Sequence, residues 1–168
     1  ELKAAREMMN DSEYEQEFEC SFEASIRGAI YGVELDKARE GKRIGNVPWV
    51  QDLTVNTYWD LGVGDSTAIW FVQQVAQEIR LIDYYENSGE GLAHYVKVLK
   101  DKPYVYAQHV APFDIDVREL GSGKSRKETA QALGISFEVA PKLPLEDGIN
   151  ATRTIFNRCW FDAENCRS

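Results

Sequence analysis

The segment Thr57-Tyr-Trp-Asp-Leu-Gly-Val-Gly-Asp-Ser-Thr-Ala-Ile-Trp70 places one carboxylate, that of Asp60, inside an apolar, strand-like run. Two glycines follow this run, and a second apolar run then begins. Because an unpaired charge in a buried strand is costly, we expect Asp60 to point into a site, where a metal ion is the commonest partner. The alternative is that Asp60 only satisfies the backbone of the turn at residues 62–64.

The composition is that of a globular protein with no candidate membrane span. At 168 residues the chain is long enough for one domain with its own core. No apolar run approaches the roughly 20 residues that a membrane span needs. The three cysteines lack a metal-binding spacing, which predicts free thiols in a reducing compartment. The net charge of -9 argues against nucleic-acid binding through overall charge, although a local basic patch is compatible with it.

Hydrophobic periodicity predicts a mixed α/β sheet. Core strands are expected over residues 53–61, 66–72, 79–85, 104–109 and 135–139, with a short strand over 17–22 before them. Helices are expected over residues 25–41, 91–99, 124–133 and 145–159. The first three core strands are joined by short connections and are therefore antiparallel, whereas the later strands follow helices and add in parallel. The predicted fold class is an α/β mixed sheet flanked by helices.

Two aspartates are predicted to meet at one edge of this sheet. Asp60 lies near the C-terminal end of the first core strand, and Asp114 lies just beyond the fourth. Two converging carboxylates repel unless a cation lies between them, and oxygen ligands suit Mg²⁺ or Mn²⁺. A pair of such ions about 4 Å apart can support phosphodiester hydrolysis. We therefore predict Asp60 and Asp114 as catalytic metal ligands for two ions. The alternative for Asp114 is a helix or turn cap after Pro112.

Two further residues are candidates for a supporting role around these metal ligands. Asp65 either shapes the turn before the second core strand or contacts a metal ligand. His109 ends the fourth core strand, where its imidazole faces either the site or the core.

The segment Gly121-Ser-Gly-Lys-Ser125 is similar to the end of a phosphate-binding loop, but it does not complete one. The full pattern needs a glycine five residues before Gly123, where Arg118 stands, so we reject an NTP site. Cations that follow Asp114 closely in the sequence suit the phosphate backbone of DNA, so we predict that they contact DNA. The alternative is that they only form a solvated helix N-terminus. These cations are Lys124, Arg126 and Lys127.

Six segments carry a family resemblance through their order and spacing. They are Gln16-Glu-Phe-Glu-Cys-Ser-Phe22, Trp59-Asp-Leu-Gly-Val-Gly-Asp-Ser-Thr-Ala-Ile69, Ile82-Asp-Tyr-Tyr-Glu86, Ala111-Pro-Phe-Asp114, Gly121-Ser-Gly-Lys-Ser-Arg126 and Glu146-Asp-Gly-Ile-Asn150. Together they resemble the C-terminal nuclease domain of the large terminase subunit of tailed bacteriophages, which has an RNase H-like fold. The family usually has Pro-His-Asp where this chain has Pro112-Phe-Asp114.

The resemblance implies a metal-dependent DNA endonuclease that cuts concatemeric viral DNA during packaging, through attack of a metal-activated water on a phosphodiester. Asp60 and Asp114 match the first two metal-binding acids of the family. The third acid of the family lies on a later helix, which the resemblance places beyond Ser168. Asp147 and Asp162 are substitutes outside the matching motif, so the fragment alone is expected to be weakly active or inactive.

The resemblance also implies a domain organisation and partners. Residues 1–25 would be the lead-in from an ATPase domain of the same chain, and residues 26–168 the nuclease domain, truncated at its C-terminus. The implied partners are double-stranded DNA, that ATPase domain, the small terminase subunit and the portal protein, in the cytoplasm of a bacterial host of a phage or prophage. Two rivals stay open, namely another RNase H-like nuclease of resolvase or transposase type and a non-catalytic assembly domain of the packaging motor.

Overall fold

The computed structural model describes residues 30–62, 66–118 and 123–167, which fall into two units. The first unit contains residues 43–144 and 158–167, and the second contains residues 30–42 and 145–157. The predictions for the strand over 17–22, for Asp65 and for the loop residues 121 and 122 lie outside the described residues.

The elements of the described residues follow one another along the chain with short connections. The strands are β1 Ile44–Gly45, β2 Val55–Asp60, β3 Thr67–Val75, β4 Glu78–Asn87, β5 Tyr106–Ala111, β6 Phe137–Val139 and β7 Cys159–Asp162. The helices are α1 Gly32–Glu40, α2 Leu92–Asp101, α3 Arg126–Ala132 and α4 Leu145–Phe156, together with a 3-10 turn over Phe113–Asp116.

The strands described in the first unit form a seven-stranded sheet in the order β1-β7-β4-β3-β2-β5-β6. Strands β2, β3 and β4 are antiparallel neighbours, with Asp60 opposite Ala68 and Ala68 opposite Glu86. Helix α2 then returns the chain so that β5 lies parallel to β2, with Thr57 opposite His109. Strand β6 adds in parallel to β5. The predicted fold class, three antiparallel strands followed by parallel strands with flanking helices, is confirmed.

Alternation along β2 divides the sheet into a core face and an open face. Val55, Thr57 and Trp59 are buried, whereas Tyr58 and Asp60 between and after them are exposed. The buried residues of α2 belong to the same apolar cluster as Trp59. These residues are Tyr95, Val96 and Leu99. Each large side chain removed from water in this way contributes roughly 1.5 to 3 kcal/mol, which fixes the register of β2.

The sequence predictions are wrong at the other edge of the sheet. The helix expected over residues 145–159 ends at Phe156, and residues 159–162 form β7 instead. Strand β7 lies between β1 and β4, parallel to both, with Cys159 opposite Ile79. Neither β7 nor the two-residue strand β1 was predicted. Both depend on pairing with strands that are distant in sequence, which local periodicity does not report.

The second unit contains α1 and α4. Helix α1, expected over residues 25–41, covers Gly32–Glu40 in the described residues. The Arg153 guanidinium of α4 donates to the Ile30 carbonyl at 2.8 Å and lies 3.6 Å from the Glu34 carboxylate. The rings of Tyr31 and Phe156 pack with their centroids 5.8 Å apart. These contacts join the two helices of this unit.

Candidate active site

The carboxyl ends of β2 and β5 bring Asp60 and Asp114 to the same edge of the sheet. The last residue pair between these parallel strands is Tyr58 opposite Val110. Asp60 is the final residue of β2, and Asp114 follows β5 within the 3-10 turn. In α/β sheets, ligands bind outside the carboxyl ends of parallel strands. The predicted parallel pairing of these two strands is therefore present, and both aspartates follow from it at the carboxyl end of their strands.

The environment of Asp60 differs from the one expected. The sequence predicted Asp60 within a buried strand, but Asp60 lies on the open face of β2 and its side chain is exposed. Its position therefore does not need a bound cation to offset the cost of burying a charge. A metal-binding role for Asp60 therefore depends on its neighbours at the sheet edge.

The open face beside Asp60 carries a second acidic side chain, that of Glu86. Asp60, Ala68 and Glu86 stand in one row across β2, β3 and β4. The Tyr84 hydroxyl donates to Glu86 Oε2 at 2.8 Å. Partial burial, the bond to Glu86 and the charges of Glu86 and Asp60 raise the pKa of Tyr84 to about 12. The alternation of β4 places Tyr84 and Glu86 on one face, and this signal was available in the sequence but was not used.

Asp114 has a buried carboxylate oxygen that the described residues do not satisfy. Its 3-10 turn is anchored by Ile115, which is fully buried, and it begins after Pro112. The turn has no side-chain cap, so Asp114 does not act as the cap that was the alternative explanation. The Oδ1 atom of Asp114 is buried without a hydrogen-bond partner. A buried carboxylate oxygen without a partner is rare in folded proteins, and a divalent cation is one group that would satisfy it.

The described residues contain no group of three or more acidic, histidine or cysteine side chains arranged to hold a metal ion. Asp147, a weak candidate for the third acid, is exposed in the first turn of α4 in the second unit. Asp162, the other substitute, is buried at the end of β7 and already engaged. It accepts backbone hydrogen bonds from Val47 at 2.8 Å, Glu164 at 3.1 Å and Asn165 at 2.8 Å. Burial raises the pKa of Asp162, but these three bonds outweigh it and lower that pKa. Asp162 therefore has a structural role.

The predicted DNA-contacting cations lie at and after the N-terminus of α3. Lys127 Nζ is 3.6 Å from Asp116 Oδ1, so its charge is partly neutralised. Lys124 and Arg126 flank Ser125, the N-cap residue. Ser125 and Glu128 form a capping box, in which each side chain accepts from the backbone amide of the other. These two amides are therefore engaged within the capping box.

His109 lies on the core face of the sheet, away from the face that carries Asp60. Its Nδ1 is 2.7 Å from Thr57 Oγ1, which also accepts the Trp59 indole N–H at 2.7 Å. The Thr57 hydroxyl proton is then available to His109 Nδ1, which favours a neutral imidazole protonated at Nε2. Burial lowers the pKa of His109, which also favours the neutral imidazole. Of the two orientations considered for His109, the structure has the one that faces the core.

Lys142 is a residue near the site that the sequence did not indicate. Its Nζ lies 4.6 Å from the centroid of the Phe113 ring, and Phe113 directly precedes Asp114. The pairing depends on residues 29 positions apart in the chain, so only the fold reveals it.

Comparison with known proteins gives structural neighbours only. No protein-family model and no curated protein matches the sequence. The nuclease domain of the P22 large terminase is 16% identical, with a TM-score of 0.51, over 70% of this chain and 66% of that one. The chain has the fold of a phage large-terminase nuclease domain. The large terminase nuclease of the thermophilic phage G20c, whose structure has bound cobalt, is 15% identical, with a TM-score of 0.51, over 73% of this chain and 71% of that one.

A longer structural neighbour shows how much of a large terminase this segment spans. The large terminase of another thermophilic bacteriophage is 11% identical, with a TM-score of 0.53. The match covers 73% of this chain and 32% of that longer protein. The RNase H-like fold expected from the motifs is therefore confirmed, and the segment spans about a third of that large terminase. None of the described helices is long and apolar enough to cross a bilayer.

Proposed function

We propose that this chain is the metal-dependent DNA endonuclease domain of a phage or prophage terminase large subunit. The observation that carries the proposal is the placement of Asp60 and Asp114 at the carboxyl ends of adjacent parallel strands, with Asp114 Oδ1 buried and unpartnered. The terminase nuclease fold of the chain supports the same activity. The substrate is the phosphodiester backbone of double-stranded DNA.

Asp60 and Asp114 are the residues that would hold Mg²⁺ or Mn²⁺, with two ions as the proposed complement. When bound, such ions activate water and offset the charge that develops on the phosphate. Asp60 approaches from the open face of β2, and Asp114 is fixed by the buried Ile115 beside it. Lys124, Arg126 and Lys127 are the proposed contacts to the DNA backbone, where they would orient the duplex rather than read its sequence.

In the proposed biological setting the domain cuts concatemeric viral DNA during genome packaging in the bacterial cytoplasm. An ATPase domain in the same chain, the small terminase subunit and the portal protein are its proposed partners. A third acid beyond Ser168 would complete the metal site. Because the segment spans about a third of the longer large terminase that it matches, these statements concern the intact protein.

The test is nicking of supercoiled plasmid in Mn²⁺ by the chain and by a version extended past Ser168. Asp60→Asn and Asp114→Asn are each expected to abolish nicking. Asp116→Asn is the matched control, because Asp116 lies in the same 3-10 turn but is engaged by Lys127. Activity only in the extended version would place a ligand beyond Ser168. Absence of nicking and of metal binding in both versions would refute the nuclease.

A second candidate is a non-catalytic assembly domain of the packaging motor. Two observations favour it: the described residues lack a three-acid group, and the net charge of -9 repels DNA. An assembly domain should bind no Mn²⁺ at Asp60, which calorimetric titration of the chain and of Asp60→Asn measures directly. Another RNase H-like nuclease, of resolvase or transposase type, would instead show Asp60-dependent cleavage with a preference for branched or transposon-end DNA.

A further inference from the structure

The exposed aromatic ring next to Asp114 is held by a lysine from a different loop. Phe113 is 49% exposed although it lies between Pro112 and a residue of the proposed metal site. The Lys142 ammonium sits over its ring, 4.6 Å from the centroid. A cation over an aromatic face is attracted by the ring quadrupole and keeps its full charge. The ring therefore positions the ammonium without neutralising it.

The backbone places Lys142 at the edge of the sheet that carries Asp114. The Ala140 amide donates to the Ala111 carbonyl at 2.8 Å, directly after the pair formed by Val139 and Ala111. Ala111 is the last residue of β5, so the segment after β6 is attached where β5 ends. Lys142 follows two residues later and reaches Phe113 from there.

Lys142 also differs from two other cations of the first unit in its ionic contacts. Lys127 is 3.6 Å from Asp116, and Arg118 is 3.7 Å from Glu128, so each has a carboxylate partner. Within the described ranges no carboxylate lies within ion-pair distance of Lys142, whose ammonium instead contacts the Phe113 ring. A phosphate entering beside two carboxylates needs a nearby cation that is not already paired.

We propose that Lys142, held over the Phe113 ring beside Asp114, binds a backbone phosphate of duplex DNA and so positions the strand at the proposed metal site. This inference depends on the proposed nuclease function and adds a substrate-binding residue to it. A lysine acts here as a point charge on the phosphate and carries no sequence information.

The test measures how duplex binding depends on salt. Binding of a fluorescein-labelled duplex of random sequence is followed by anisotropy in EDTA, over a series of KCl concentrations. Lys142→Met keeps the length of the side chain and removes its charge, and Lys142→Arg restores the charge. Phe113→Leu removes the ring. Lys97→Met, which removes a charge from an exposed position of α2, is the matched control.

Lys142→Met is expected to make the slope of log K against log[salt] less negative by about 0.9, the value for one lost phosphate contact on B-DNA. Lys142→Arg should restore the slope, and Phe113→Leu should weaken binding at low salt with an unchanged melting temperature. A Lys142→Met slope equal to that of Lys97→Met overturns the inference, while plasmid nicking that depends on Asp60 would still support the nuclease. Absence of duplex binding by the unaltered chain at the lowest salt also overturns the inference, whereas the nuclease is refuted only by absence of nicking and of metal binding.

Discussion

Asp114→Ala is expected to change the stability of this protein in opposite directions without and with a divalent metal ion. In EDTA the unaltered protein contains a buried Asp114 Oδ1 without a hydrogen-bond partner. Such a group costs about 1 to 3 kcal/mol, and the partial exposure of the residue as a whole favours the lower end. Removing the carboxylate should therefore stabilise the metal-free protein by about 1 kcal/mol, or roughly 2 to 4 °C in melting temperature for a chain of this size.

Saturation with Mn²⁺ should reverse this order. A ligand at about 100 times its dissociation constant stabilises the folded state by about 2.7 kcal/mol, which corresponds to roughly 5 to 11 °C here. The unaltered protein should gain this amount, whereas Asp114→Ala should gain none. The two melting curves therefore exchange places between EDTA and Mn²⁺, and differential scanning calorimetry measures both conditions on the same samples.

Asp116→Ala is the control for this experiment. Asp116 belongs to the same 3-10 turn, is exposed and lies 3.6 Å from the Lys127 ammonium. Its loss should cost less than about 1 kcal/mol and leave the response to Mn²⁺ unchanged. The reasoning would be refuted if Asp114→Ala melted below the unaltered protein in EDTA, or if it kept the full rise in Mn²⁺.

Three further predictions concern the core and the opposite edge of the sheet. Thr57→Val should destabilise the protein by about 2 to 4 kcal/mol in urea unfolding, because it leaves the buried Trp59 N–H and the His109 Nδ1 unpaired. A loss below about 0.5 kcal/mol, the effect of a surface substitution, would contradict this prediction. Burial lowers the pKa of His109, so as the pH falls the unfolded chain binds the proton before the folded protein does. The unfolding midpoint should therefore be constant above about pH 6.5 and decrease at lower pH. His109→Gln should lessen that decrease. Asp162→Asn should cost about 2 to 4 kcal/mol in the same assay, because an amide cannot accept all three backbone bonds that the carboxylate accepts, and an unchanged midpoint would show that these bonds contribute nothing.

The sequence predicted the middle of the sheet better than its edges. Strands β2, β3 and β4 follow one another within residues 55–87 and are rich in apolar residues, so local patterns suffice to define them. Strand β7 has four residues and follows α4 after only two others. Its pairing with β4 joins Cys159 to Ile79, across about half the chain. A contact of that kind is set by tertiary structure and leaves no periodic signal.

The candidate site shows the same division between local and non-local information. Its two aspartates were found from their positions relative to strands, which depend on element order alone. Local sequence patterns did not predict on which face of the sheet each side chain lies, and the surroundings of both Asp60 and His109 depend on that face. Lys142 was not predicted, because its place near the site depends on its contact with Phe113 in another loop.

The insertion of β7 between β1 and β4 has a consequence for biosynthesis. Until residues 159–162 leave the ribosome, the ten-residue strand β4 has β3 on one side and no partner on the other. A long strand with an open edge is a template for pairing with other chains. The nascent protein is therefore prone to aggregate between the emergence of β4 and that of β7, and chains cut after Asn157 should be found in inclusion bodies.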